Sequence, residues 1–170
     1  MTSNPKNNFS KKSSDFLKIR LNSTEFVIDI RSIDGIAEYS FNILESPIPD
    51  LFLGNYSKGG NIIPIFNLKK YLNCKNSSFL PTTQSRILFI DDRNLDIEVG
   101  FGISAILSFY RNLKPIQIVK TDLDAIPDLK CFQIESKVII NTNSIPILDL
   151  KRLIDLSLLK NLLNPDYYQN

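Results

Sequence analysis

The chain has 170 residues, 43% of them apolar and 22% charged, with 20 basic against 18 acidic side chains and a formal charge of +2. That length fits one domain, or two small lobes sharing a core, and the near balance of charge excludes the basic footprint of a nucleic-acid binder. Histidine is absent, which removes the usual general base near neutral pH, the Ser-His-Asp and Cys-His arrangements and every histidine-containing zinc site. The cysteines, Cys74 and Cys131, are too few for a thiolate cluster and read as reduced packing or surface thiols. With no phosphate-cradling glycine motif either, neither a cofactor nor a metal is expected. No apolar run approaches the roughly 20 residues that span a bilayer, and the polar start carries no secretory signal. The chain reads as a cytoplasmic protein, not an integral membrane protein.

Residues 1–14 are mostly Asn, Ser and Lys and are expected to be a disordered tail. From Phe16 the pattern turns to strand periodicity. Leu17, Ile19 and Leu21 alternate with Lys18, Arg20 and Asn22, the stretch Asn22-Ser23-Thr24 reads as a turn, and Phe26, Ile28 and Ile30 alternate again: a β-hairpin. Two prolines make Glu45 to Pro49 an irregular connection. Gly59-Gly60-Asn61 is a tight-turn signal ahead of the apolar strand Ile62 to Phe66, and Asn67 is placed to cap a short helix, Leu68 to Leu72. A second hairpin follows, with Ile87 to Ile90 outbound, a turn over Asp91 to Asn94, and Leu95 to Ile103 returning with Asp96 and Glu98 outward. Strands are then expected over Lys137 to Asn141 and Ser144 to Leu148. Asp149 would cap a helix running to about Leu163, stopped by Pro165. Its leucine stripe, Leu150, Leu153, Ile154, Leu158 and Leu162, fits packing on a barrel.

An internal repeat organises these elements. Asn61-Ile62-Ile63-Pro64-Ile65-Phe66-Asn67-Leu68-Lys69-Lys70 returns as Asn143-Ser144-Ile145-Pro146-Ile147-Leu148-Asp149-Leu150-Lys151-Arg152. A proline inside an apolar strand is a rare placement, because it forgoes one ladder hydrogen bond, so both copies should sit at a sheet edge or bulge. The economical reading is a mainly β chain of two small β-barrels, each closed by a short helix and sharing a core that neither fills alone.

With its β-hairpin, then Gly54, then Gly60-Asn61-Ile62-Ile63-Pro64-Ile65-Phe66-Asn67-Leu68, the chain resembles the CheW-like adaptor domain of bacterial chemosensory systems, whose pattern is approximately G-x-x-N-L-R-G-x-V-I-P-V-x-D-L. Val99-Gly100-Phe101-Gly102-Ile103 and Ile145-Pro146-Ile147-Leu148-Asp149-Leu150 fall where that family places its second barrel and final helix, and the likeness runs roughly from Asp15 to Leu156. The resemblance implies two pseudo-symmetric five-stranded barrels with short helices and a C-terminal helix. It places them in one intertwined domain over residues 15–163, followed by a tail over 164–170. It further implies a non-catalytic adaptor that joins the regulatory domain of a CheA-type histidine kinase to the cytoplasmic tip of methyl-accepting receptors. The receptor hairpin would lie in the groove between the barrels.

On that resemblance the candidate partner-binding residues are Ile33, Gly35, Ile36, Lys58 and Gly59 on the first barrel and Phe101, Ile103 and Ile106 on the second. Alternation alone leaves open whether the apolar members face the core or a partner. Gly35 and Gly59 stand where many family members carry a glutamate and an arginine, and Ser104 where an aspartate is common. Losing both charges together avoids stranding one of them. Asp34 and Lys58 are neighbours that would restore charge from shifted positions. Asp91, Asp92, Asp96 and Glu98 read as a solvated hairpin tip rather than a metal site, and Asp122, Asp124 and Asp128 as loop residues. The rival reading keeps the fold as a stand-alone interaction or oligomerisation module. A hydrolase working through carboxylates alone lacks a visible positioned pair.

Overall fold

The computed structural model describes residues 12–39, 51–72, 78–92, 97–117, 134 and 136–154. The irregular connection at Glu45 to Pro49, the hairpin tip at Asp96, Cys74, Cys131, the carboxylates Asp122, Asp124 and Asp128, and the helix beyond Ile154 lie outside these residues.

The alternating apolar run at the start forms β1 (Ser14–Leu21), so the first strand begins one residue inside the expected tail. It pairs antiparallel with β2 (Thr24–Asp29), Leu21 opposite Thr24, and Asn22 takes the turn at φ 57°. Val27 is fully buried alongside Phe26 and Ile28, so β2 is covered on both faces. Ile30 is exposed and leaves the strand in a 3-10 turn, Ile30–Ser32.

The first lobe is one five-stranded sheet. It contains β3 (Gly35–Glu38), β4 (Phe52–Lys58), β5 (Asn61–Asn67), β6 (Arg86–Asp92) and β7 (Ile97–Ile103), in the order β3-β6-β7-β5-β4. All pairings are antiparallel except β5 with β7. Inside it Ile63, Ile65, Ile87 and Phe89 pack with Ala37, Leu53 and Tyr56, drawn from both edge strands as well as the middle. Asn67 caps the short helix α1 (Leu68–Tyr71) by accepting from the Lys70 amide at 3.4 Å.

The second lobe is likewise built of strands, and the described residues show its barrel in part. It is two three-stranded sheets, β2-β1-β8 and β11-β10-β9. They comprise β8 (Ala105–Leu113), β9 (Ile116–Gln117), β10 (Ser136–Ile140) and β11 (Asn143–Pro146), and α2 (Leu150–Leu153) follows. A parallel bridge between Val27 and Ile147 joins the sheets, and the Leu148 amide donates to the Val27 carbonyl at 2.8 Å. The N-terminal hairpin therefore belongs with the C-terminal strands, while β3 to β7 form the other lobe. Phe16, Val27, Val138, Ile140 and Ile145 fill the second lobe.

The repeat is structural as well as sequential. In each copy a hairpin whose two central residues both have positive φ, Gly59–Gly60 and Asn141–Thr142, feeds the proline-bearing strand. Positive φ at both positions is the type I′ geometry that matches strand twist. Ile63 and Ile145, Phe66 and Leu148, Leu68 and Leu150 are buried as matching pairs. Pro146 ends an edge strand. Pro64 instead lies in an interior strand, one residue before the parallel ladder to β7 begins at Ile65 and beside the register shift between Phe52 and Gly54. Its missing amide thus falls just outside that ladder.

Between the lobes lies the largest apolar cluster. Leu17, Ile19, Leu21, Phe26 and Ile28 from the second lobe meet Phe66, Leu88, Ile90, Val99, Phe101 and Ile103 from the first, with Leu68, Leu148 and Leu150 from the helix starts. Strand β7 makes this possible by alternation. Val99, Phe101 and Ile103 point into the shared core, and Gly100 and Gly102 face the first-lobe interior, where a Cβ on Gly100 would lie 2.3 Å from Ile65 Cδ1 and 2.9 Å from Ile87 Cγ2. Gly100→Ala is expected to lower stability in urea melts by about 1–3 kcal/mol through overpacking. Thr142→Gly should raise it by about 1 kcal/mol, because a β-branched residue is strained at φ 71°.

Candidate partner-binding groove

Among the described residues, β3 lies at an edge of the first sheet and β8 at an edge of the sheet β2-β1-β8, and both border the shared core. Residues directly opposite each other in a ladder share a face. Ile36 opposes Leu88 and Ile106 opposes Ile19, so both side chains lie on the faces that form the shared core, at its open margin. Ile36 is 47% exposed; Ile106 and Ile33 are half-buried and pack against the core. Phe109 opposes Leu17 and is 43% exposed, extending the same margin along β8. Four apolar side chains, two from each lobe, thus lie at the margins of the shared core.

Ile33 is held there by the 3-10 turn before it. Asp29 caps that turn, accepting from the Arg31 amide at 3.0 Å, and its carboxylate also takes the Arg31 guanidinium at 2.5 Å. The guanidinium reaches back to Ser14 Oγ at 2.6 Å. Partial burial raises the Asp29 pKa, but hydrogen bonds from the Arg31 side chain and amide, its positive charge and the Ser14 contact outweigh that and hold it below the ordinary value. Next in the chain, Asp34 accepts from the Asp91 amide at 2.7 Å, tying the start of β3 to β6. Asp34 therefore fastens backbone, a role the sequence does not disclose.

Lys58 crosses the mouth of the first lobe. Its Nζ meets Glu98 Oε1 at 2.5 Å and sits 4.9 Å from the centre of the Phe89 ring. A Cβ on Gly35 would lie 4.0 Å from that same Nζ and 3.4 Å from Phe89 Cδ2. Lys58 thus pairs with Glu98 on β7, beside Gly35, while Asp34 is bound to the Asp91 amide. Gly59 is exposed, with nothing within 4 Å of a Cβ built on it; its left-handed φ of 58° is what the turn requires.

Phe101 and Ile103 are fully buried in the shared core. This removes them from the candidate surface: on a strand alternating with glycines, the bulky face is the one that fills the gap between lobes. Ser104 accepts from the Asn22 amide at 3.1 Å, and its own amide donates to the Arg20 carbonyl, bracing the first hairpin to the β7–β8 corner. Beyond the groove, Ile62 is 74% exposed beside the Gly59–Gly60 turn, and Ile116 and Ile139 are exposed on the sheet β11-β10-β9. Ile62 and Ile139 sit inside apolar strand runs and Ile116 follows Pro115, so no sequence pattern singles out any of the three. Among the described residues no three His, Cys, Asp or Glu side chains gather as a metal site, and no helix is long and apolar enough to cross a membrane.

A family model described as the CheW-like domain matches residues 15–158. The chain belongs to the CheW-like domain family. That family consists of non-catalytic scaffolds and adaptors of chemotaxis signalling. Among solved structures, the scaffolding protein TtCheW from Thermoanaerobacter tengcongensis matches with a TM-score of 0.62 over 90% of this chain and 95% of its own, at 17% identity. The two share a fold. No curated protein matches by sequence.

Asp29→Asn should destabilise the protein near neutral pH. Because the folded carboxyl is depressed, its contribution is present above the ordinary value of 3.8 and is lost as pH falls through the lower folded value. Melts of variant and wild type are therefore expected to converge in acid. For Lys58→Met with Glu98→Gln, a double-mutant cycle should give a coupling of about 1 kcal/mol or less, since both side chains are partly solvated.

Proposed function

We propose that this CheW-like chain is a cytoplasmic adaptor that couples a CheA-type histidine kinase to the tip of a methyl-accepting receptor. The observation that carries the reading is the set of apolar side chains Ile33, Ile36, Ile106 and Phe109 at the margins of the shared core, bordered by β3 and β8. Exposed apolar side chains beside polar ones are what a helical partner needs. Lys58, Gly35 and Gly59 form the polar end of the first lobe, with the Lys58–Glu98 pair in place of the family's glutamate and arginine. The kinase regulatory domain, which has the same fold in this family, would meet the outer faces of the lobes, where Ile62, Ile116 and Ile139 are exposed. The absence of side chains at Gly35 and Gly59 favours the second reading, a stand-alone module released from receptors.

Isothermal titration separates the two. The wild type is expected to bind both the cognate kinase regulatory domain and the hairpin-tip fragment of a receptor from the same genome. Ile36→Asp and Ile106→Asp should weaken the receptor fragment by about tenfold or more while leaving kinase binding in place, since one buried apolar contact carries about 1.5–3 kcal/mol. Kinase binding without receptor binding would support the second reading. Binding of neither would overturn the adaptor assignment.

A further inference from the structure

Several cations on these strands and turns have partners. Lys18 meets Glu25 at 2.7 Å, Arg31 meets Asp29, Lys58 meets Glu98, and Arg20 donates to Gln84 at 3.2 Å. Arg111 and Lys114 differ: both are exposed, and among the described residues neither meets a carboxylate. Arg111 lies two residues beyond Phe109 on β8, hence on the same face, and its Cζ sits 5.7 Å from the centre of the Phe109 ring. The nearby carboxylate of Asp15 is engaged elsewhere, accepting from the Asn112 amide at 2.9 Å.

We propose that Arg111 is the specificity-determining residue of the groove, reading a carboxylate on an amphipathic helix whose apolar side packs on Phe109 and Ile106. The inference rests on the groove being the partner surface. A guanidinium held beside an aromatic ring and meeting no carboxylate of its own chain keeps its planar fork of N–H donors for a partner, and that fork can take a carboxylate through two parallel hydrogen bonds. The aromatic ring and the cation together define the complement: an apolar side chain with a glutamate or aspartate about one helical turn away. Lys114 adds a second positive charge on the same edge and so favours an acidic approach. A helix fits better than an added strand. The outer strand is irregular, with register shifts against β1 between Ser14 and Phe16 and between Lys18 and Ile19, and with Asn112 at φ 57°. Such irregularities spoil the regular ladder that strand addition needs.

The test uses the full chain and the receptor hairpin-tip fragment as probe, titrated at about 50 and about 300 mM salt. Arg111→Glu should weaken binding about tenfold or more, and Arg111→Lys should recover only part of it because a point charge lacks the fork. Wild-type binding should weaken with salt, whereas the Arg111→Glu complex should not. Reversing the facing acid of the hairpin to arginine should restore the Arg111→Glu variant, an outcome that mere misfolding would not give. Equal binding by wild type and Arg111→Glu, with the same salt dependence, overturns the proposal while leaving the groove assignment intact. A wild type that binds the kinase domain but not the hairpin overturns both.

Discussion

The gap between the two lobes is filled by side chains that neither lobe encloses by itself, and most other features follow from that constraint. Strand β7 supplies Val99, Phe101 and Ile103 to the gap and only glycines to its own lobe at positions 100 and 102. Each fully buried residue of this size contributes roughly 1.5–3 kcal/mol. The glycines are the counterpart: the first-lobe interior is already occupied by Ile65, Ile87 and Phe89, so bulk could be placed on one face of β7 only. The N-terminal hairpin contributes Leu17, Ile19, Leu21, Phe26 and Ile28 to the same gap, which is why it is claimed by the second lobe and not by the strands that follow it.

A core shared between two curled sheets has an open margin wherever each sheet ends. Here those ends are β3 and β8, and the apolar residues there are part-covered, with no further strand beyond them among the described residues. The candidate groove is thus a consequence of the packing and not an addition to it. Its borders are fixed by polar contacts of ordinary strength: Asp29 capping the turn before Ile33, Asp34 holding β3 to β6, Ser104 bracing the β7–β8 corner. Lys58 and Glu98 pair across β4 and β7 at the first lobe in the same way.

Much of the architecture was readable from residues alone. Period-two alternation located β1 and β2, an unbroken apolar run located β6, the duplicated proline strand announced two related lobes, and Asn67 marked its helix start. Failures have a common cause. Alternation reports that a strand has two faces but not what each face meets, so Phe101 and Ile103 stood as open between core and surface until the position of the other lobe was known. Val27 lies on a face that looks outward within its hairpin and is covered by Ile147 and its neighbours, 120 residues away in sequence. The Lys58–Glu98 pair and the Arg111–Phe109 contact likewise depend on register and curvature, which no local pattern encodes. The short strand β3 and the long mixed-polarity strand β8, which carry the groove, lack the clean alternation that would have marked them.

If the lobes are one cooperative unit joined through the shared core, they must come apart together. Native-state amide exchange in increasing urea, followed at Ile65 in the first lobe and Val138 in the second, tests this directly. The account predicts that both amides open with the same free energy and the same denaturant dependence, because removing either lobe exposes the residues that hold the other. If one lobe opened at markedly lower denaturant while the other stayed protected, the lobes would be independent and the groove would be a cleft between two separate domains.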